Sequence, residues 1–445
     1  MIGEKGEGNV LITENISLDN YNANKHVLLI GGTEDRRISS YIGPNILNTN
    51  RSFVVTDRDG VLYRRYHEAL EDKGYDVKCL DFTGTDVRYS YNPFRYINSD
   101  EDAEMLAEIL SRNMFADEPV REAGKLIMTA VLAYIHDYTT EVNHRFYYLV
   151  YIMETEAECD DNEDYKTIID YMFEDVKAHE EDDADKSFAY IKYKEYRKKT
   201  KKLPRRKVAL SCLSVLHVFN RDNTCRITEA DGISRDSIEN TIIARFMLLP
   251  SKNKTYTPAA ATLYARIYTA EEDIDLESIE NTRTALFVIL PSEDRSYDLV
   301  AAILYAHLFK FLGSRIKSAG TWYPLRMLLM PDEFTNMARI PGIGEILSKL
   351  KDYGASVTIP LPAARADRFE KIPCWDEFIE AFDTAVYFSD VGIFKKAAWF
   401  DRCLWGINPT KVPDELAVLP PDKCVVIRRP WGKNTCIYTD TIIHT

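Results

Sequence analysis

The sequence predicts an α/β protein, a parallel, doubly wound sheet interrupted by an all-α domain. Three observations predict it. Strand and helix patterns alternate from Val27 to Phe82, long helical periodicity takes over from Ser99, and strand patterns return at Thr284. The segmentation that follows assigns residues 1–98 to the first part of the α/β domain, 99–276 to the inserted all-α domain and 277–445 to the second part of the α/β domain.

Each element has a local reason. Val27 to Ile30 is a continuous apolar run closed by Gly31-Gly32, as expected for a strand covered on both faces. Ser39 to Asn48 carries a helix pattern, and Ser52 to Thr56 reads as the next strand, leading to Asp57. Tyr63 to Lys73 is helical and stops at Gly74, where glycine suits the left-handed turn that closes a helix. Val77 to Phe82 completes β-α-β-α-β. In the insertion, helices are predicted over Ala103 to Asn113, Arg121 to Tyr138 and Arg145 to Met153. Acidic blocks at Glu154 to Asp164 and Glu180 to Asp185 precede a basic run: Arg197, Lys198, Lys199, Lys201, Lys202, Arg205, Arg206 and Lys207. The sheet resumes with Thr284 to Leu290, followed by the apolar helix Tyr297 to Leu312. Strands at Arg326 to Met330 and Ala355 to Ile359 flank a helix from Ile343 to Asp352, and short strands at Cys424 to Ile427 and Cys436 to Tyr438 end the chain.

Composition narrows the classes. The 445 residues suffice for two or three domains, and 45% apolar with 28% charged residues is a soluble, globular balance. A net charge of -14 argues against a surface that coats nucleic acid broadly, and leaves room for a local basic channel. None of the eight cysteines forms a C-x-x-C pair, the usage of reduced thiols, so no metal site is expected. No stretch approaches the ~20 apolar residues of a membrane span; Leu299 to Gly313 is broken by His307 and Lys310. Met1 to Gly8 has no apolar core of a signal peptide. The expected compartment is the cytoplasm.

Two stretches are placed where chemistry could occur. A phosphate-binding loop reads G-x-x-x-x-G-K-[ST], and its frame fits from Gly31, with Arg36, Arg37 and Ile38 at the Gly-Lys-Ser/Thr positions. Arg36 adds a Cβ where a positive φ is expected, Ile38 cannot ligate a metal, and Glu34 and Asp35 bring carboxylates toward the phosphate charge. Arg37 keeps the cation in a branched form. An ordinary strand-to-loop turn gives the same pattern, so the residues alone leave both readings open. The second stretch is Met327 to Met330 followed by Pro331-Asp332-Glu333-Phe334, an apolar strand delivering two acids to the carboxyl edge of the sheet. There Asp332 would hold Mg²⁺ and Glu333 would polarise water, although such a pair also suits a helix N-terminus. The basic run, in particular Lys198, Lys199, Lys201, Lys202, Arg205 and Arg206, would suit phosphates of nucleic acid, a solvated helix end or internal pairing with the nearby acids.

In order along the chain stand Ile30-Gly31-Gly32, then Tyr41, Pro44, Asn45, Ile46 and Leu47, then Ser52-Phe53-Val54-Val55-Thr56-Asp57 with Gly60. Tyr91-Asn92-Pro93-Phe94, Thr284-Ala285-Leu286-Phe287, Asp332-Glu333-Phe334 with Asn336 and Ile340-Pro341, and Pro413-Asp414-Glu415 with Leu419-Pro420 follow. With these stretches the chain resembles the TraG/TraD-type coupling proteins of conjugative DNA transfer and type IV secretion, over most of its length, most weakly from Ser99 to Leu276. The resemblance implies a RecA-like P-loop-type sheet flanked by helices, ATP and Mg²⁺ as cofactors, and a hexameric homo-oligomer. It implies DNA and relaxosome or secretion proteins as partners, and a cytoplasmic position held peripheral to the inner membrane through partners. It places a phosphate loop at Gly31, Gly32, Arg37 and Ser39, and the Walker B pair, with Mg²⁺, at Asp332 and Glu333.

The departures point the other way. The family's glycine, lysine and threonine are replaced at Arg36, Arg37 and Ile38, its Asp-Pro-Lys-Gly reads Asp57-Arg58-Asp59-Gly60, and its sensor glutamine falls on Pro362. The expectation is therefore a coupling-protein-like chain impaired in ATP binding and hydrolysis. A divergent active ATPase, with Arg37 for lysine and Ser39 as the metal hydroxyl, is the enzymatic alternative. A non-enzymatic adaptor acting through the helical domain, or a stable fold without activity, are the others.

Overall fold

The computed structural model describes residues 8–19, 24–83, 89–141, 144–158, 166–180, 186–216, 272–315, 326–331, 340–361, 375–388, 420, 422–429 and 436–443. Thirteen strands among them are numbered in chain order. The described chain forms two compact units, one of residues 1–86 with 275–445 and one of residues 87–274.

The first unit opens with a two-stranded antiparallel pair, β1 (Val10–Leu11) and β2 (Ser17–Leu18). Its main sheet holds β3 (Val27–Ile30), β4 (Ser52–Arg58), β5 (Asp76–Asp81), β8 (Thr284–Leu290), β9 (Met327–Met330), β10 (Ala355–Leu361), β11 (Thr384–Tyr387), β12 (Lys423–Arg428) and β13 (Cys436–Thr441). The order is β13-β12-β11-β3-β10-β9-β4-β8-β5. All neighbours are parallel except β11 with β12 and β12 with β13. Strands β3, β4, β8, β9 and β10 are buried along their whole length; β3, β9 and β8 from Ala285 onward accordingly read as apolar runs, while β4 and β10 also bury polar side chains such as Ser52, Thr56, Ser356 and Thr358.

Strand β10 changes partner midway. Its residues 355–357 pair with β9 and its residues 358–361 with β3. Pro360 thus lies past the last rung shared with β9, where a missing N–H costs that ladder nothing. His26, just before β3, is buried; its Nδ1 accepts from the Val357 N–H at 3.1 Å and its Nε2 donates to the Leu347 carbonyl at 2.8 Å. Burial holds it neutral, with a pKa lowered to about 4.

After β3 the chain turns into a continuous helical segment, α1 (Glu34–Arg37), a π-helical turn (Ile38–Ile42) and α2 (Gly43–Asn48). The Asn45 amide ties α2 to β1, accepting from the Leu11 N–H and donating to the Leu11 carbonyl, both at 2.8 Å. Helix α3 (Val61–Asp72) follows β4, and the helix Asp298–Ser314 follows β8.

At the carboxyl end of β4, Arg58 and Asp298 form a buried pair at 2.5 Å, and Arg295 reaches the other Asp298 oxygen at 2.8 Å. Removing one member of such a pair strands a charge inside the protein.

The second unit contains β6 (Tyr89–Ser90) paired with β7 (Glu272–Asp273) and helices α4 (Asp100–Arg112), α5 (Glu118–Tyr138), α6 (Phe146–Ala157), α7 (Ile168–Glu180), α8 (Phe188–Lys199) and α9 (Arg205–Leu216). It starts ahead of the change of texture at Ser99 because the Tyr91–Phe94 signature is part of its core. Asn92 caps the 3-10 turn Pro93–Tyr96 and donates to the His144 carbonyl at 2.9 Å, while Phe94 meets Phe146 edge to face. No helix among the described residues is long and apolar enough to cross a membrane.

Asp298→Ala should lower stability in urea denaturation by roughly 3–5 kcal/mol by leaving Arg58 uncompensated. Arg295→Ala, whose side chain is one-third exposed, should cost far less. Equal small losses would contradict the buried-pair account.

Candidate functional site

Sheet topology brings the ends of β3, β4, β9 and β10 together at one carboxyl edge, the edge at which α/β sheets bind ligands. A small cavity lies there, about 30 Å³, bounded by Glu34, Arg37, Thr56, Asp57, Met330 and Thr358 among others.

The turn leading to it is shorter than a phosphate loop. Gly31 and Gly32 take positive φ values of 78° and 73°, and Thr33 then caps α1, its hydroxyl oxygen accepting from the Arg36 N–H at 3.3 Å. Helix thus begins at Glu34. The expectation of a positive φ at Arg36 is corrected: the two glycines complete the turn earlier, and Arg36 is helical. The acids Glu34 and Asp35 occupy the first helical turn, where they face the positive end of the helix dipole. Thr33 followed by two acids is a helix-start signal in the sequence, and the fit to the longer loop pattern obscured it.

Arg37 is buried, and its guanidinium folds back to donate to the carbonyl oxygens of both Gly31, at 3.3 Å, and Gly32. The Gly31 N–H is used by the Leu361 carbonyl at 3.0 Å. Arg36 points elsewhere, donating to the Lys423 carbonyl at 3.0 Å and lying over the Phe388 ring at 5.3 Å. The Ser39 hydroxyl donates to the Arg36 carbonyl of its own helix at 3.4 Å. Gly31, Gly32 and Arg37 are therefore brought together, and Ser39 is turned to its own backbone. Asp332, Glu333 and Pro362 lie outside the described residues.

Asp57 was absent from the sequence-based set, yet its carboxylate lines this cavity. It accepts from the N–H groups of Leu62, at 2.9 Å, and Tyr63, at 2.8 Å, capping α3. Burial pushes its pKa up to about 6, against the lowering effect of those hydrogen bonds. Thr358, also on the cavity wall, pairs with the buried Tyr41 hydroxyl at 3.1 Å.

The basic run lies in the second unit and divides in two. Arg205 is locked inside: it pairs with Glu156 at 2.6 Å and with Asp170 at 2.8 Å, and the Tyr196 and Thr167 hydroxyls also donate to Glu156. Burial alone would raise Asp170; hydrogen bonds from Tyr193 and Thr167 together with the Arg205 charge hold it below the usual carboxylate range. Lys198, Lys199, Lys201, Lys202 and Arg206 are exposed, and Lys199 pairs with Glu122.

The family model for the type IV secretory system conjugative DNA transfer proteins matches residues 4–359. The chain belongs to that family. Among solved structures it is similar to the bacterial conjugative coupling protein TrwBdeltaN70, unbound, at 13% identity and a TM-score of 0.56, covering 100% of this chain and 91% of that one. It is also similar to plasmid coupling protein TrwB in complex with ADP and Mg²⁺, at 13% identity and a TM-score of 0.56, covering 100% and 90%. The same protein with the non-hydrolysable GTP analogue GDPNP matches at 14% identity and a TM-score of 0.55, covering 100% and 91%. Among curated proteins none matches. The fold is therefore the RecA-like P-loop fold that the resemblance implied.

Asp57 gives a pH prediction. Its folded pKa, about 6, lies above the reference value of 3.8, so the native state binds the extra proton between them. That contribution to stability is present below 3.8 and is lost as pH rises through about 6. Asp57→Asn should remove this downward slope from a stability-against-pH profile; an unchanged slope would contradict the assignment.

Proposed function

We propose that this chain is a coupling-protein-like component of a conjugative DNA transfer or type IV secretion system whose own ATP binding and hydrolysis are impaired. One observation carries the reading: Arg37, at the lysine position of the loop, is spent on the Gly31 and Gly32 carbonyls. A triphosphate needs N–H groups and a cation turned toward its oxygens. In this loop the cation faces carbonyl oxygens, and the adjoining cavity, about 30 Å³, suits a water or two rather than a phosphate chain. ATP and Mg²⁺ do not fit the described residues of the loop.

On this reading Asp332 and Glu333 are vestigial, and the loss of the lysine, the glycine and the metal hydroxyl together removes several kcal/mol of stabilisation per group from phosphoryl transfer. The RecA-like scaffold serves assembly: as a subunit of a ring, hexameric by resemblance, and as a contact for secretion or relaxosome proteins. DNA contact, where it occurs, falls to Lys198, Lys199, Lys201, Lys202 and Arg206, while Arg205 holds the helical unit together. This position is peripheral to the membrane and held by partners.

Calorimetric titration with Mg²⁺-ATP tests the reading. The natural chain should give no binding heat. A chain carrying Glu34→Gly, Arg36→Gly, Arg37→Lys and Ile38→Thr should bind, because the two glycines weaken α1 by about 1 kcal/mol each and free the loop. Micromolar binding by the natural chain, abolished by Asp332→Asn, would make the divergent ATPase the correct reading instead.

A further inference from the structure

The opposite, amino-terminal edge of the sheet carries a feature that the loop does not explain. Three adjacent parallel strands, β9, β4 and β8, each enter the sheet directly after an arginine: Arg326 before Met327, Arg51 before Ser52 and Arg283 before Thr284. The registers Ser52↔Met327 and Phe53↔Ala285 put the three in one row across the sheet. Neighbouring strands lie about 4.8 Å apart, so three guanidinium groups start from backbone positions at that spacing.

They surround an open cavity of about 300 Å³, lined also by Asn50, Glu280 and Tyr353. Two are held in place by aromatic faces, Arg283 over Tyr75 at 4.7 Å and Arg326 over Tyr353 at 5.3 Å; Arg283 also gives one N–H to the Lys73 carbonyl and, unlike Arg37, lines the open cavity. The one carboxylate among the described lining residues, Glu280, is shared between Arg326 at 3.7 Å and Arg315 at 3.6 Å. The described lining residues therefore hold three cations and one anion, and that carboxylate is further committed to a fourth cation, Arg315.

Like charges in a row repel unless an anion lies between them. A guanidinium carries five N–H donors, so Arg283 keeps donors beyond the one given to Lys73, and the planar fork matches planar or tetrahedral oxyanions such as phosphate. We propose that this cavity binds a phosphate group, through Arg51, Arg283 and Arg326. The site is separate from the loop at the carboxyl edge and does not depend on the reading given to that loop.

The test is calorimetric titration of the full chain with inorganic phosphate and pyrophosphate, and separately with a short single-stranded DNA oligonucleotide. The exposed Arg51→Gln should weaken phosphate binding about tenfold. Glu280→Gln should change it in the opposite direction, tightening it several-fold, because the competing carboxylate is gone. That opposite sign separates lost binding from a damaged fold. Competition between oligonucleotide and pyrophosphate identifies the natural ligand as a phosphodiester, and binding of pyrophosphate without competition identifies a free phosphate. Absence of binding in both arms, or binding that neither substitution alters, overturns the proposal.

Discussion

The site depends on one interaction, the Arg37 guanidinium donating to the Gly31 and Gly32 carbonyls. It sets the length of the turn, since a side chain from the first helical turn can reach those oxygens only if the helix starts at once. Thr33 supplies the cap that allows this, and Glu34 and Asp35 stabilise the start through the helix dipole. With the cation turned inward, the space beside it closes to a cavity of about 30 Å³ bordered by a carboxylate, Asp57, that burial holds near pH 6. A phosphate chain would have to displace the arginine and uncoil the first helical turn.

The rest of the first unit supports that geometry. Strand β10 runs between β3 and β9 and delivers Thr358 and Pro360 to the cavity wall. The buried Arg58–Asp298 pair fixes the end of β4 beside it, and Asp57 ties the first turn of α3 to it through the Leu62 and Tyr63 N–H groups. In the second unit Glu156, Asp170 and Arg205 play the equivalent organising role, joining α6, α7 and α9 through a buried ionic network. One member of an apparent basic patch is thereby a structural residue, and the lysines around it remain on the surface.

Much of the fold was legible in the sequence because fully buried parallel strands leave an apolar trace: Val27–Ile30 and Ala285–Leu290 are apolar runs closed by Gly31 and Pro291, and Phe53 to Val55 is the apolar centre of the strand between them. The stop of α3 was legible from Gly74, which takes a positive φ, whereas the start of α4, capped by Ser99, lies three residues ahead of the expected Ala103. The site was less so. A pattern match to a longer loop concealed the helix start at Thr33, and the destination of Arg37 is a matter of rotamer and not of spacing. Burial of Arg205 and exposure of its neighbours cannot be read from a run of like charges, because it turns on which helix face meets Glu156. The arginine row was present in the sequence as three separate residues, and only the strand order makes it a row.

A crystal structure of the chain grown with millimolar Mg²⁺-ATP tests the central claim most directly. The account predicts Arg37 in contact with the Gly31 and Gly32 carbonyls, helix from Glu34 onward, and no phosphate density at the carboxyl edge. A triphosphate seated over Gly31 and Gly32, with Arg37 swung outward onto its oxygens, would contradict it.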